Sequence, residues 1–352
     1  MLWHGLAKDT RKNYSIPQRS FEDFCVRRSQ KPWPAQLDML GEWCVAKASP
    51  NPLEPKMIKA STIENYLAAL RAVHVDRQLD LEVFNSPWLH RIVAGIRRTE
   101  HSKPTKQAFP ITSEVLSKIT YVHPGTIGTS SFLQNVNFDT AAKVAFAGLF
   151  RIGELTCKND ELDPDTLRTK VQRGDVSFPL DNSYVTVRLR RSKADKEHRG
   201  VNIVMARTNT PACPVEALRF LFTVDPRSPS SPLFNIGHQP MTRDWLIRKL
   251  KSRLISQQIE PSLYSGHSFR RGAAQLASNN GLTNDEIMTL GRWTSDAFHR
   301  YFKRSLRNRF EINQRFRLKD TSFLTPLASP LPSPPPSVFG AALLYGGSLA
   351  AS

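Results

Sequence analysis

The chain has 352 residues, 40% of them hydrophobic and 23% charged, the balance of a folded protein with room for two domains. Lysine and arginine number 49 against 31 aspartate and glutamate, a formal charge of +18, which points to a polyanionic partner, most often nucleic acid. Four dispersed cysteines (Cys25, Cys44, Cys157, Cys213) form no CxxC pair, no apolar run reaches membrane length and no basic-then-apolar leader opens the chain. An intracellular protein without zinc site, disulfide framework or membrane span is therefore expected.

From Lys8 to about Arg98 the pattern is helical throughout. Helices are predicted over residues 9–28, 35–46, 61–78 and 87–98, and in the third Tyr66, Leu67, Leu70 and Val73 share one face. These make an all-helical domain over residues 1–98. The polar, basic stretch "RRTEHSKPTKQAFP" reads as a linker over 99–111.

A second domain, residues 112–319, opens with a helix start at Thr112-Ser113-Glu114 and continues with a helix over 138–150. In "YVTVRLRRSKADKEHRGVNIVM" the alternation of Val185, Val187 and Leu189 predicts a hairpin or small antiparallel sheet over 175–205. Helices follow over 214–222, 243–255, 269–278, 283–290 and 295–310. Thr283 and Glu286 frame a capping box and Gly291 supplies a stop. Basic residues crowd into 188–199 and 300–317, and residues 320–352 are a Pro/Ser-rich stretch expected to be a disordered tail.

One stretch works against ordinary helix electrostatics. In "SGHSFRRGAAQLASNNG", Ser268 is a plausible N-cap, which puts His267, Arg270 and Arg271 at the positive end of the helix dipole. An anion placed there reverses the penalty, because a helix N-terminus with added guanidinium groups suits phosphate. The plainer alternative turns these side chains to solvent or carboxylates. Three other features are individually weak. Arg151 ends an apolar helix in "AFAGLFRIGELT", as a dipole partner or delivered into a cleft. Lys193 lies at the hairpin turn, where a lysine is usually solvated. Tyr301 sits between Arg300 and Lys303 in a helix whose apolar face is Phe298 and Phe302, and alone it reads as a packing tyrosine.

In order, these features run Arg, Lys, His-x-x-Arg, Gly, Tyr, and over residues 111–310 they resemble the tyrosine recombinases, or phage integrases. "GLFRIGEL" is similar to the first-arginine box through Arg151, with Glu154 three residues on; "RSKAD" to the hairpin-lysine box through Lys193; "HSFRRG" to the His-x-x-Arg box through His267 and Arg270. Tyr301 falls ten residues after Gly291, the nucleophile's place in the family. The resemblance implies a mainly α fold with a small antiparallel β-sheet in the catalytic domain, two domains closing like a clamp on duplex DNA, and a homo-tetramer on two DNA sites. It also implies a DNA strand-breaking and rejoining enzyme with a 3′-phosphotyrosyl intermediate, no cofactor, no metal and no small-molecule substrate. The Pro-rich tail, without accessory DNA-binding modules beside it, points to a mobile-element enzyme or a descendant in a eukaryotic genome, and a nuclear location is expected if the source is eukaryotic.

The chemistry is coherent with these residues. Arg151 and Arg270 would hold the two non-bridging phosphate oxygens in fork geometry, His267 would exchange the proton of the tyrosine hydroxyl, whose pKa is ordinarily about 10, and Lys193 would protonate the departing 5′-oxygen. Glu154 is expected to support an arginine by an ion pair. Arg71, Arg91, Arg97 and Arg98 are candidates for DNA-backbone contacts, and Arg271 for the neighbouring backbone or a carboxylate. One departure stands out: the family commonly has His or Trp after the glycine, where this chain has Arg292 followed by Trp293. Arg292 is expected near the phosphate as a cation, with Trp293, displaced by one residue, as the alternative. Rival readings are an inactive descendant that only binds DNA, a monomeric type IB topoisomerase-like enzyme, and a helix-turn-helix regulator, which leaves Arg151 and Lys193 unexplained.

Overall fold

Apolar residues at helical spacing assemble the first of two units, Met1–Lys106, which among its described residues holds five helices: α1 (Lys8–Val26), α2 (Leu37–Ala48), α3 (Ala60–Asp76), α4 (Glu82–Asn85) and α5 (Pro87–Thr99). The computed structural model describes residues 5–49, 57–99, 108–120, 129–192, 195 and 199–294. Phe21, Leu40, Trp43, Ile63, Leu70 and Leu89 are fully buried between these helices, with Trp43 edge-on to Phe21 at 5.5 Å. Buried His74 satisfies both ring nitrogens, with Nε2 accepting from the Ala35 amide at 3.0 Å and Nδ1 donating to the Asp80 carbonyl at 2.5 Å. Helices α1 and α3 stop two residues earlier than their periodicity predicts, because Ser29 and Gln78 take left-handed backbone conformations just beyond them.

The second unit, Gln107–Ser352, is built around α7 (Ser130–Ala147), which is buried on nearly every side and packs against α10 (Pro214–Val224) and α12 (His267–Asn279). Before α7 comes α6 (Ser113–Ile119), and after it the single turns α8 (Ile152–Leu155) and α9 (Pro164–Leu167). Thr112 and Thr129 cap α6 and α7, each hydroxyl accepting an amide at 3.2 Å. A three-stranded antiparallel sheet in the order β1 (Val176–Ser177), β2 (Tyr184–Leu189), β3 (Val201–Ala206) pairs Val185 with Met205 and Val187 with Ile203, burying one face as the alternation requires. A two-residue pairing of β4 (Asn235–Ile236) with β5 (Gln239–Pro240) leads into α11 (Arg243–Ser256), then α12 and α13 (Asn284–Gly291). The architecture is thus mainly α with a small antiparallel sheet in the second unit. The helices predicted over 138–150 and 269–278 are corrected: Thr129 starts the first eight residues earlier, left-handed Leu149 ends it at Ala147, and the second begins at His267. The predicted helix over 295–310 and the tail over 320–352 lie outside the described residues.

Asp139, in the middle of α7, is 2% exposed, and neither of its carboxylate oxygens accepts a hydrogen bond from the described residues. Burial pushes its pKa up to about 7 against the pull of Arg253, Lys143 and Lys249. The folded chain therefore holds this proton more tightly than the unfolded chain, so the contribution to stability declines as pH rises from about 4 to about 7. Comparing urea unfolding of the second unit at pH 5 and pH 8, Asp139→Asn is expected to remove a pH-dependent loss of about 2–3 kcal/mol. Identical pH dependence in the two proteins would show that Asp139 does not titrate there.

Candidate active site

Where α7 ends, the chain breaks sharply. Leu149 adopts a left-handed conformation (φ 48), and Arg151 is extended at the N-cap of α8 rather than at the end of the preceding helix, which corrects the predicted placement. The cause is local: Glu154, the third residue of the new turn, accepts the Arg151 amide at 2.9 Å and Arg151 Nη1 at 2.8 Å. Glu154 is nearly buried while Arg151 keeps 28% of its side chain exposed, so the guanidinium is anchored at one end and open at the other. It lines a cavity of about 230 Å³ together with Thr169, Lys170, Arg191 and Ser192.

The second cationic cluster sits at the start of α12. Gly266, not Ser268, is the N-cap; the Ser265 hydroxyl accepts the His267 amide at 3.3 Å, and the Ser268 hydroxyl turns back to accept the Ser265 amide at 3.0 Å. His267 is exposed and lies within electrostatic range of four arginines. Partial desolvation first, then Arg243, Arg270, Arg151 and Arg271, hold its pKa below the ordinary histidine value. It is thus neutral and able to accept a proton near pH 7.

Arg270 is 1% exposed; its guanidinium stacks on the Trp293 ring at 4.3 Å, and Nη2 donates to the Gly291 carbonyl. Gly291 is required for this packing, because a Cβ there would collide with the Trp293 ring. Arg271 donates through Nη1 to the Ala108 carbonyl at 2.7 Å, so it ties α12 to the segment that enters the unit. Gly272 serves the same contact, since a Cβ would strike the Ile111 carbonyl.

Arg292 lies 11% exposed against the Arg151 turn, with Nη2 3.2 Å from Glu154 Oε2. Glu154 therefore supports two arginines. Of the predicted site, the structure brings together Arg151, Glu154, His267, Arg270, Arg292 and Trp293. Lys193, in the connection between β2 and β3, and Tyr301 lie outside the described residues. Arg71, Arg91, Arg97 and Arg98 are exposed in the first unit, and Arg97 pairs with Glu64. Arg243, Lys170 and Arg191 were not singled out by sequence. Arg243 carried a usable signal, a cation in the first turn of α11 directly after its Thr242 cap, the same anomaly that marks α12. Among the described residues no group of three His, Cys, Asp or Glu side chains is placed to hold a metal ion, and no helix is long and apolar enough to cross a membrane.

No protein-family profile matches the chain, and no curated protein matches it. Solved structures do. The Tn1549 transposon integrase in complex with a circular intermediate DNA aligns with a TM-score of 0.52 at 14% identity, over 88% of this chain and 94% of its own. The XerH site-specific recombinase bound to its palindromic difH substrate, in a post-cleavage complex, aligns with a TM-score of 0.57 at 14% identity, over 87% of this chain and 79% of its own. The same recombinase in a pre-cleavage complex gives 0.53 at 13% identity. The chain has the fold of these integrases and site-specific recombinases.

Proposed function

We propose that the protein is a site-specific DNA recombinase or integrase that cuts and rejoins duplex DNA through a 3′-phosphotyrosyl intermediate. The observation that carries this reading is the pair of guanidinium groups, Arg151 held by Glu154 and Arg270 held by Trp293 and Gly291, beside a histidine kept neutral by its surroundings. Two fixed cations match the non-bridging oxygens of a phosphodiester, and their charge is worth most at the pentavalent transition state.

In the proposed reaction the Tyr301 oxygen attacks phosphorus and passes its proton to His267, while the bond from phosphorus to the 5′-oxygen breaks and Lys193 protonates the leaving oxygen. The phosphotyrosyl bond conserves the energy of the bond it replaces, so a 5′-hydroxyl from a partner strand reverses each transfer and rejoins the DNA. The integrase and XerH recombinase of similar fold were solved on DNA, which supports duplex DNA as the substrate. A homo-tetramer on two sites is the proposed working unit. Arg71, Arg91 and Arg98 are proposed to contact the phosphate backbone from the first unit, with Arg97 beside them.

The test is covalent trapping on a nicked suicide duplex carrying candidate element ends. Wild type is expected to give a protein–DNA adduct stable to denaturing electrophoresis, and Tyr301→Phe none. Absence of the adduct on DNA that the protein demonstrably binds would favour a descendant that binds without cleaving; relaxation of plasmid without a specific site would favour topoisomerase-like action.

A further inference from the structure

The tripeptide Gly291-Arg292-Trp293 reaches both arginines of the clamp at once, Arg270 by stacking and Arg151 through Glu154. Arg292 follows the last residue of α13 in the left-handed conformation (φ 55, ψ 45), at the position where helices ordinarily carry glycine. A side chain kept in that conformation is a strain that its contacts must compensate.

Those contacts use nearly all the guanidinium has. Nη1 donates to the Gly148 carbonyl at 3.0 Å and the Leu290 carbonyl at 3.3 Å; Nη2 donates to the Leu149 carbonyl at 3.1 Å and to Glu154 Oε2 at 3.2 Å. Four terminal N–H groups thus have four protein acceptors, and the fifth donor, Nε, is buried with no hydrogen-bond partner among the described residues. The group also lies 5.2 Å over the Phe150 ring. No terminal N–H is left to grip a phosphate, whereas every acceptor belongs to the break that ends α7 and presents Arg151, or to the end of α13.

We propose that Arg292 is a positioning residue: it braces Glu154 and the Gly148–Leu149 carbonyls, and so orients Arg151, without itself touching the scissile phosphate. The proposal rests on the phosphoryl-transfer reading for its functional consequence. It assigns Arg292, which replaces the phosphate donor expected from family resemblance, to a different task.

Two measurements on the full chain test it. In single-turnover adduct formation on the suicide duplex, Arg292→Gly is expected to slow cleavage by about 10²-fold through misplacement of Arg151, with DNA affinity within about twofold. Arg292→Lys, which keeps a cation opposite Glu154, recovers about tenfold of that loss. In a Glu154→Ala background the added effect of Arg292→Gly shrinks below about fivefold, because the two act as one unit. Losses that multiply in the double variant would mean that Arg292 acts on the phosphate directly, and would overturn the proposal.

The second measurement is the urea midpoint, which needs no activity. Arg292→Gly removes the left-handed strain, so a residue without a bracing role gains stability on this change. The brace predicts a lower midpoint instead, and a smaller drop when Glu154 is already alanine. A raised midpoint overturns the brace. If wild type forms no adduct, the recombinase reading fails on its own account, and the urea cycle still decides whether Arg292 is committed to Glu154.

Discussion

Arg270→Lys is expected to slow covalent adduct formation by about 10³-fold while changing DNA affinity only a few-fold. Arg270 is the one fully buried cation of the described site, and its plane lies against Trp293 at 4.3 Å with Nη2 on the Gly291 carbonyl. Those contacts set the orientation of the guanidinium before DNA arrives, and a pre-set donor loses no reorganisation energy at the transition state. A lysine offers a point charge on a flexible stem, cannot stack as a plane and cannot form a fork. Desolvation at this position also favours its neutral form, so the charge itself is weakened. Binding is spread over many phosphate contacts and tolerates the change; cleavage depends on the single phosphate and does not. Rates should be measured under single turnover with saturating protein, so that affinity drops out. A loss below about tenfold would assign Arg270 to holding α13 against α12 instead of to the reacting phosphate.

The parts of this site that were legible in sequence are those whose cause is local. The capping box of Thr283 and Glu286 is present as the spacing requires, and Val185, Val187 and Leu189 share the buried face of β2 as their alternation predicts. The cationic start of α12 was visible because it contradicts the dipole. Residues whose role depends on distant partners were not legible. Glu154 could be paired with Arg151 three positions away, but its second partner, Arg292, comes from 138 residues along the chain. Arg292 and Trp293 were read as rivals for one role; the fold gives each its own arginine to hold. Ser268 looks like a cap because serine favours that position, yet Gly266 and Ser265 start the helix two residues sooner. Elements as short as α4, α8 and α9, or the pairing of β4 with β5, are too brief for any periodicity to register.

Asp225→Ala is expected to destabilise the second unit by about 3–5 kcal/mol, because it strands a buried cation. Asp225, at the end of α10, is 5% exposed and joins three parts of the unit. Its Oδ2 accepts from Asn137 on α7 at 3.0 Å and from Arg173 Nη2 at 3.1 Å, Arg227 Nε lies 3.0 Å from Oδ1, and the Asp225 main-chain carbonyl accepts Arg173 Nη1 at 3.1 Å. Burial works to raise the Asp225 pKa, but the donated hydrogen bonds of Arg227 and Asn137 and the charges of Arg227 and Arg173 bring it below the usual carboxylate value. The stability it contributes is therefore present above the unfolded-state pKa and lost as pH falls. Arg173, 5% exposed and 4.9 Å over the Phe222 ring, has its own pKa pulled down to about 10 by burial, so it depends on this counter-charge. Removing Asp225 alone leaves that cation desolvated, while removing both charges does not. The double variant Asp225→Ala with Arg173→Met should accordingly regain about half of the loss in urea unfolding. Equal losses in single and double variants would locate the energy in the Asn137 and Arg227 bonds, and so in the junction of α10 with α7 rather than in the ion pair.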